Sequence, residues 1–213
     1  MIGAQHDFHD ENFSKEWAAR FTPTPERLAL FDLILIELKS QLPSAGCVVE
    51  LGIGPGYLAD FLLGKLHKIQ YFGLDFSKPM LDMAGGRLKR DKDRVSFIET
   101  DLVEDDWQER LPDRVDAVVS TWALHDLGGL VQTETVYEKC VQVLGRGGIL
   151  LNGDFIKPKE AAFEYEPGRF ETAKHLEILR NVGFQQAKCL ALFEKEIESP
   201  NASQNYACFL GIV

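Results

Sequence analysis

No apolar run in the 213-residue chain approaches the roughly 20 residues that a membrane-spanning helix requires. The opening residues MIGAQHDFHDENFSKEW are polar and acidic, unlike the basic and then apolar pattern of a secretory leader. Cysteine is scarce: Cys47, Cys140, Cys189 and Cys208 lie far apart, three of them in apolar surroundings. That usage suits buried reduced thiols and points to the cytoplasm rather than to a disulfide framework. Positive charge is in deficit, with 23 Lys and Arg against 33 Asp and Glu, a net charge of −10. A nucleic-acid binder usually carries a basic face, so a polyanionic partner is not expected. No internal repeat, low-complexity tract or long linker occurs, and the length suits one domain. His6 and His9 have the spacing of metal ligands, but no metal site is expected in so polar a stretch. The loosest stretches are the first dozen residues, 157–169 and 199–205.

What is present is alternation. Residues 25–42 have helical spacing, with Leu28, Phe31, Ile34, Leu35 and Leu38 on one face. CVVEL (47–51) is short, continuous and β-branched, the pattern of a buried strand. A helix over 57–66 follows, then a strand over 69–75 and a helix from Ser77, with Ser77 as N-cap and Pro79 in its first turn. Strands are predicted at 95–101, 116–121 and 149–155, and helices at 130–144 and 171–182. Five apolar strands alternating with helices imply a parallel sheet covered on both faces, an α/β three-layer sandwich. The ending differs: residues 188–197 and 205–213 read as strands with only a short loop between them. So short a loop permits antiparallel pairing and no parallel crossover. The expectation is a seven-stranded, mostly parallel sheet closed by a C-terminal antiparallel hairpin.

Residues 48–62, VVELGIGPGYLADFL, place Gly52, Gly54 and Gly56 at the carboxyl end of the first strand, just after Glu50. Ligands of open α/β sheets bind beyond this edge, and glycine permits a left-handed backbone and close approach. A dinucleotide fingerprint can be forced onto Gly54, Gly56 and Ala59. Glu50 opposes a pyrophosphate there, however, and no Tyr-x-x-x-Lys pair exists. A ligand with a positive charge suits Glu50 better.

ELGIGPG resembles the first motif of the class I S-adenosylmethionine-dependent methyltransferases, whose domain is Rossmann-like. The resemblance extends over roughly 45–213, through FGLDFSKPML, IETDLVEDDW, DAVVSTWALHDL and LGRGGILLNGDF. It implies S-adenosyl-L-methionine as cofactor, with residues 46–213 as its binding domain and 1–45 as a helical cap. By the same resemblance Asp75 takes the ribose hydroxyls and Asp101 the adenine amino group, with Phe76, Met80 and Leu102 around the ring. Glu50, the glycine loop and the backbone at Ser120 would face the methionine end. Trp122 would wall the site or pack in the core, and Arg20 would hold the methionine carboxylate or lie in solvent. Two covers are expected, one with Trp17, Arg20 and Phe21, the other with Phe163, Tyr165, Arg169 and Phe170. His125 is the candidate base, or else a wall residue, and Asp154 is a second pocket candidate or a surface carboxylate. His67 and His175 read as surface helix positions. No acidic set resembles the metal site of the catechol methyltransferases.

The acceptor is expected to be a small molecule, because little chain remains for a recognition domain. Alternatives are methylation of RNA or protein, a non-catalytic cofactor-binding subunit, or chemistry like that of the carboxy-S-adenosylmethionine synthases. The last needs an arginine at the methyl group, for which Arg20 or Arg169 could serve.

Overall fold

The computed structural model describes residues 6–20, 23–159, 161, 164–193 and 205–213. Phe21, Phe163 and residues 194–204, with the expected end of the sixth strand and most of the hairpin loop, lie outside them. The helices are α1 (Glu11–Arg20), α2 (Pro25–Gln41), α3 (Tyr57–Leu63), α4 (Lys78–Arg87), α5 (Leu130–Val143) and α6 (Thr172–Asn181). The strands are β1 (Cys47–Leu51), β2 (Gln70–Asp75), β3 (Val95–Glu99), β4 (Val115–Thr121), β5 (Leu144–Phe155), β6 (Gln186–Phe193) and β7 (Tyr206–Ile212). They form one sheet in the order β3-β2-β1-β4-β5-β7-β6.

The first five strands are parallel, and β7 runs antiparallel between β5 and β6. The expected hairpin is therefore present, with β7 inserted inside β6. Strand order reverses between β1 and β4, so their following loops diverge and leave a crevice at the carboxyl edge.

Alternate strand residues divide between two apolar clusters, one per sheet face, because successive side chains point to opposite sides. Val48, Tyr71, Ala117, Val119 and Leu151 join the cluster that contains α2, α3 and α4 residues. Val49, Leu74, Val118, Leu150 and Phe209 join the cluster under α5 and α6, with fully buried Trp107. This is the three-layer sandwich in molecular terms.

Several local expectations shift. In α2 the buried stripe is Leu30, Phe31, Ile34, Leu35 and Leu38, while Leu28 is exposed. Leu28 lies about a quarter turn from the centre of that stripe at 100° per residue. α3 stops at Leu63, three residues early, with Gly64 as its C-cap. β5 starts at Leu144 because GRGG enters the strand through a register shift opposite β4. β3 is an edge strand and largely exposed, not apolar throughout.

His67 is exposed but sits in a turn. His175 is buried at 2% exposure, contrary to its expected surface position. It precedes Ile178 and Leu179 by three and four residues, which places all three on the inward face of α6. Its ring stacks on Phe209 at 4.4 Å. Cys47, Cys140 and Cys208 are buried, Cys189 is half-buried, and all four are free.

The expected cap over 1–45 divides differently in space. α2 shares the sheet's own apolar cluster, whereas residues 6–20 lie across the edge of the sheet by α4. Truncating the fully buried Ile34→Ala should therefore cost about 2–5 kcal/mol of global stability. Urea unfolding followed by far-UV circular dichroism measures it. An unchanged midpoint would show that α2 is a detachable cap outside the cooperative unit.

Candidate active site

The three motif glycines are needed for three different reasons. All have positive φ: +66° at Gly52, +52° at Gly54 and +80° at Gly56. Gly56 caps α3, and a Cβ there would press on the Ala84 backbone at 3.2 Å. A Cβ on Gly52 would fall 2.4 Å from Ala123 Cβ in the loop after β4. Gly54 has nothing within 4 Å of that position, because it borders a cavity. Its amide donates to Asp75 Oδ2 at 2.8 Å.

The acidic residues at this edge separate in the same way. Asp75 is buried, and its Oδ1 also accepts from the Ser77 amide at 2.9 Å. Burial raises its pKa to about 6 despite backbone donors at Ser77, Gly54 and Phe76. Glu50 is 1% exposed and accepts a hydrogen bond from Tyr71 Oη at 2.7 Å. Burial, reinforced by the neighbouring Asp75 charge, pushes Glu50 up to about 8, and the Tyr71 bond opposes this only in part. A cation placed nearby would relieve both groups. Asp101 uses Oδ1 to accept from the amides of Val103 and Glu104 at 2.8 and 3.1 Å. Its carboxylate holds the turn after β3, and the adjacent Leu102 lines the cavity instead.

The cavity encloses about 310 Å³. One wall is Gly52, Gly54, Asp75, Phe76 and Leu102, from the ends of the first three strands and the loops after them, with Met80 from α4. The facing wall is Trp122, Ala123, His125, Asp126 and Phe155, from the ends of β4 and β5. His6, Phe8, Trp17 and Arg27 complete the lining. A side space of about 50 Å³ adds Glu50, Thr121 and Tyr57. Ser77 ties this cover down: its hydroxyl accepts from the Met80 amide as N-cap and donates to Phe8 O at 2.5 Å. Phe8 meets Trp17 edge-on at 5.2 Å, and His6 stacks on Phe8 and meets the Phe76 ring.

Ser120 is buried and spans to β1, donating to Leu51 O at 2.9 Å. Trp122 has φ +50°, rare for a side chain of that size, and is 9% exposed. It borders the cavity and also packs on Phe31 and Tyr206, so wall and core are one residue here. Arg20 is exposed and lies 3.8 Å from Glu16. Neither Arg20 nor Arg169 lines the cavity; Arg27 does, with its guanidinium 5.2 Å from the Trp122 ring centroid. Ala123 and Phe155 fall within the fourth- and fifth-strand segments without a role marked for them, and Arg27 and Phe8 lie outside every motif, so only the spacing of aromatic residues in the N-terminal stretch hinted at the cover.

His125 and Asp154, from two different strand ends, form a pair. His125 Nδ1 is 2.7 Å from Asp154 Oδ1, and the His125 amide donates to Oδ2 at 2.9 Å. Asp154 is 1% exposed, an interior carboxylate and no surface group. With Nδ1–H donated to Asp154, Nε2 is the nitrogen left for other chemistry; it lies 3.4 Å from Asp126 Oδ1. Burial alone lowers the imidazole pKa, but Asp154 and Asp126 outweigh it and leave it raised. Among the described residues no cluster of His, Cys, Asp and Glu could hold a metal ion.

Two expectations follow from the loop and its acid. Gly52→Ala must displace Ala123 and should destabilise the protein well beyond Gly54→Ala, which carries only backbone strain of about 1–3 kcal/mol; equal melting temperatures would contradict the packing. Folded Glu50 binds its proton more tightly than unfolded Glu, so its contribution to stability is full below the unfolded value near 4.5 and is lost as pH rises through about 8. Glu50→Gln should therefore melt close to the parent at pH 4, and increasingly above it between pH 5 and 8. A gap that does not vary with pH would mean Glu50 is not held in this state.

Residues 48–148 match the family model described as a methyltransferase domain. No curated protein sequence matches the chain. Among solved structures, the carbon methyltransferase CurJ is similar at TM-score 0.71 and 13% identity, over 96% of this chain and 58% of that one. The chain thus spans little more than half of that protein. A S-adenosylmethionine-dependent methyltransferase from Aquifex aeolicus is similar at TM-score 0.66 and 18% identity, over 96% and 98% of the two chains. The N-methyltransferase NodS from Bradyrhizobium japonicum, in complex with S-adenosyl-L-homocysteine, is similar at TM-score 0.67 and 18% identity, over 91% and 90%. Residues 48–148 thus match a methyltransferase domain, and the chain shares the Rossmann-like fold of solved S-adenosylmethionine-dependent methyltransferases.

Proposed function

We propose that this enzyme transfers a methyl group in line to a small-molecule acceptor, with His125 as general base and Asp154 as the group that orients it. The observation that carries this reading is the cavity of about 310 Å³ under an aromatic cover, lined by both the glycine loop and His125, whose Nδ1 is held by the buried Asp154. That volume is near the lower end of ligand pockets, roughly 300–1,000 Å³. The cofactor claims much of it, which favours a small acceptor over a folded RNA or protein.

The residues suit S-adenosyl-L-methionine. Gly54 leaves open space at the cavity border, and Asp75 keeps lone pairs for ribose hydroxyls beyond its backbone amide contacts. Phe76, Met80 and Leu102 offer apolar and sulfur–aromatic surface to a purine. Asp101 Oδ1 holds the turn that presents Leu102, and its second oxygen suits the adenine amino group. Glu50 and the backbone around Gly52, Ser120 and Trp122 suit the cationic methionine end, and Arg27, in place of Arg20, suits a carboxylate. When bound, the cofactor supplies an activated methyl group, so the protein's part is alignment, exclusion of water and removal of a proton where the acceptor needs it. His125 can take that proton at Nε2 while Asp154 stabilises the imidazolium that forms.

Calorimetry should show binding of S-adenosylmethionine and S-adenosylhomocysteine, and none of NAD or NADP. A screen of small phenols, amines and carboxylates for adenosylhomocysteine release then supplies an acceptor. With it, His125→Asn should lower turnover roughly 10²–10⁴-fold at nearly constant cofactor affinity. Normal turnover by that variant would leave His125 as wall and catalysis to alignment alone.

A further inference from the structure

Arg169 stands behind the cavity wall. Its side chain is 9% exposed, and its guanidinium lies 4.5 Å from the centroid of the Phe155 ring. That ring in turn meets His125 edge-on, 4.9 Å between centroids at 89°. The only carboxylate paired with it among the described residues is Glu166, at 2.7 Å from Nε, and Nη1 is buried without a hydrogen-bond partner. The backbone is pressed on the same residue: a Cβ on Gly168 would fall 2.0 Å from His125 O. A buried, incompletely bonded cation is costly, and the cation–π contact offsets only part of that cost. Its placement calls for a reason.

The surroundings of His125 supply one. Asp154 from β5 and Asp126 from its own turn both favour a proton on the imidazole. Between them they shift the ring toward imidazolium, the form that cannot accept a proton. His175 behind the sheet edge is neutral, lowered to about 4 by burial, and His6 from the cover faces Asp126. Arg169 is the positive charge that opposes the two carboxylates, and its field lowers the His125 pKa.

We infer that Arg169 is a positioning residue for His125: through Phe155 and the Gly168 contact it fixes the imidazole in the cavity wall, and its charge opposes Asp154 and Asp126 so that the ring gives up its proton more readily than those carboxylates alone would allow. This rests on the reading of His125 as base, yet its test needs neither an acceptor nor turnover.

The test is an NMR titration of the His125 ring in the full chain, assigned with His125→Asn. Arg169→Gln should raise the midpoint by about half a unit or more, the scale of one unit charge at close range in a partly buried site. Arg169→Lys, which keeps the charge, should stay nearer the parent. Glu166→Gln frees Arg169 of its counter-charge at a half-exposed position and should lower the midpoint. Adenosylhomocysteine affinity should be unchanged in all three, and with an acceptor the acid limb of kcat/KM should move by the same amount. An unmoved midpoint in folded, ligand-binding Arg169→Gln overturns the proposal. Should that variant not fold, an unmoved midpoint in Glu166→Gln overturns it equally. Loss of the base role itself would appear separately, as normal turnover by His125→Asn with these shifts intact.

Discussion

The Asp75 carboxylate, buried at the end of β2, organises the whole edge of the sheet. One oxygen accepts the Gly54 amide and holds the glycine loop in its left-handed path; the other accepts the Ser77 amide and starts α4. Ser77, so placed, caps that helix and grips the carbonyl of Phe8 in the cover. Floor, helix and roof of the cavity thus share one anchor. Charged acceptors make the stronger hydrogen bonds, and burial keeps them unscreened, which is why a single carboxylate can do this.

That arrangement carries a cost. Glu50 and Asp75 are two acids out of water within one small region, and both bind protons more readily than they would in solvent. A cation placed at the loop would offset part of that cost by favouring the ionised form of both acids. Across the cavity the same low-dielectric surroundings give the His125–Asp154 pair its strength. Trp122, held at a positive φ between Gly52's neighbour Ala123 and β4, is the backbone strain that separates the two halves.

The solved structures similar to this chain include a carbon methyltransferase and an N-methyltransferase. One scaffold therefore accommodates different acceptor atoms, and the acceptor must be read from the wall beyond the cofactor. The cavity of this chain is lined by the aromatic rings of Phe8, Trp17, Phe76, Trp122 and Phe155, with one permanent cation, Arg27, among its described residues.

The amino-acid sequence by itself determined what depends on neighbours along the chain: strand against helix periodicity, the glycine loop after β1, the N-cap at Ser77 and the short connection that forces β6 and β7 antiparallel. It also put Asp75 at the end of one strand and His125 just past another, where the structure has them, since position after a strand is a local property. Tertiary structure alone decided which distant residues meet. Asp154 lies 29 positions from His125 and Phe8 lies 69 from Ser77, and neither pair leaves a mark in spacing. Asp101 read as an adenine contact, and its Oδ1 holds a turn; an Asp after a strand suits either use. His175 read as surface, because helical phase shows which residues share a face but not which face the sheet will cover.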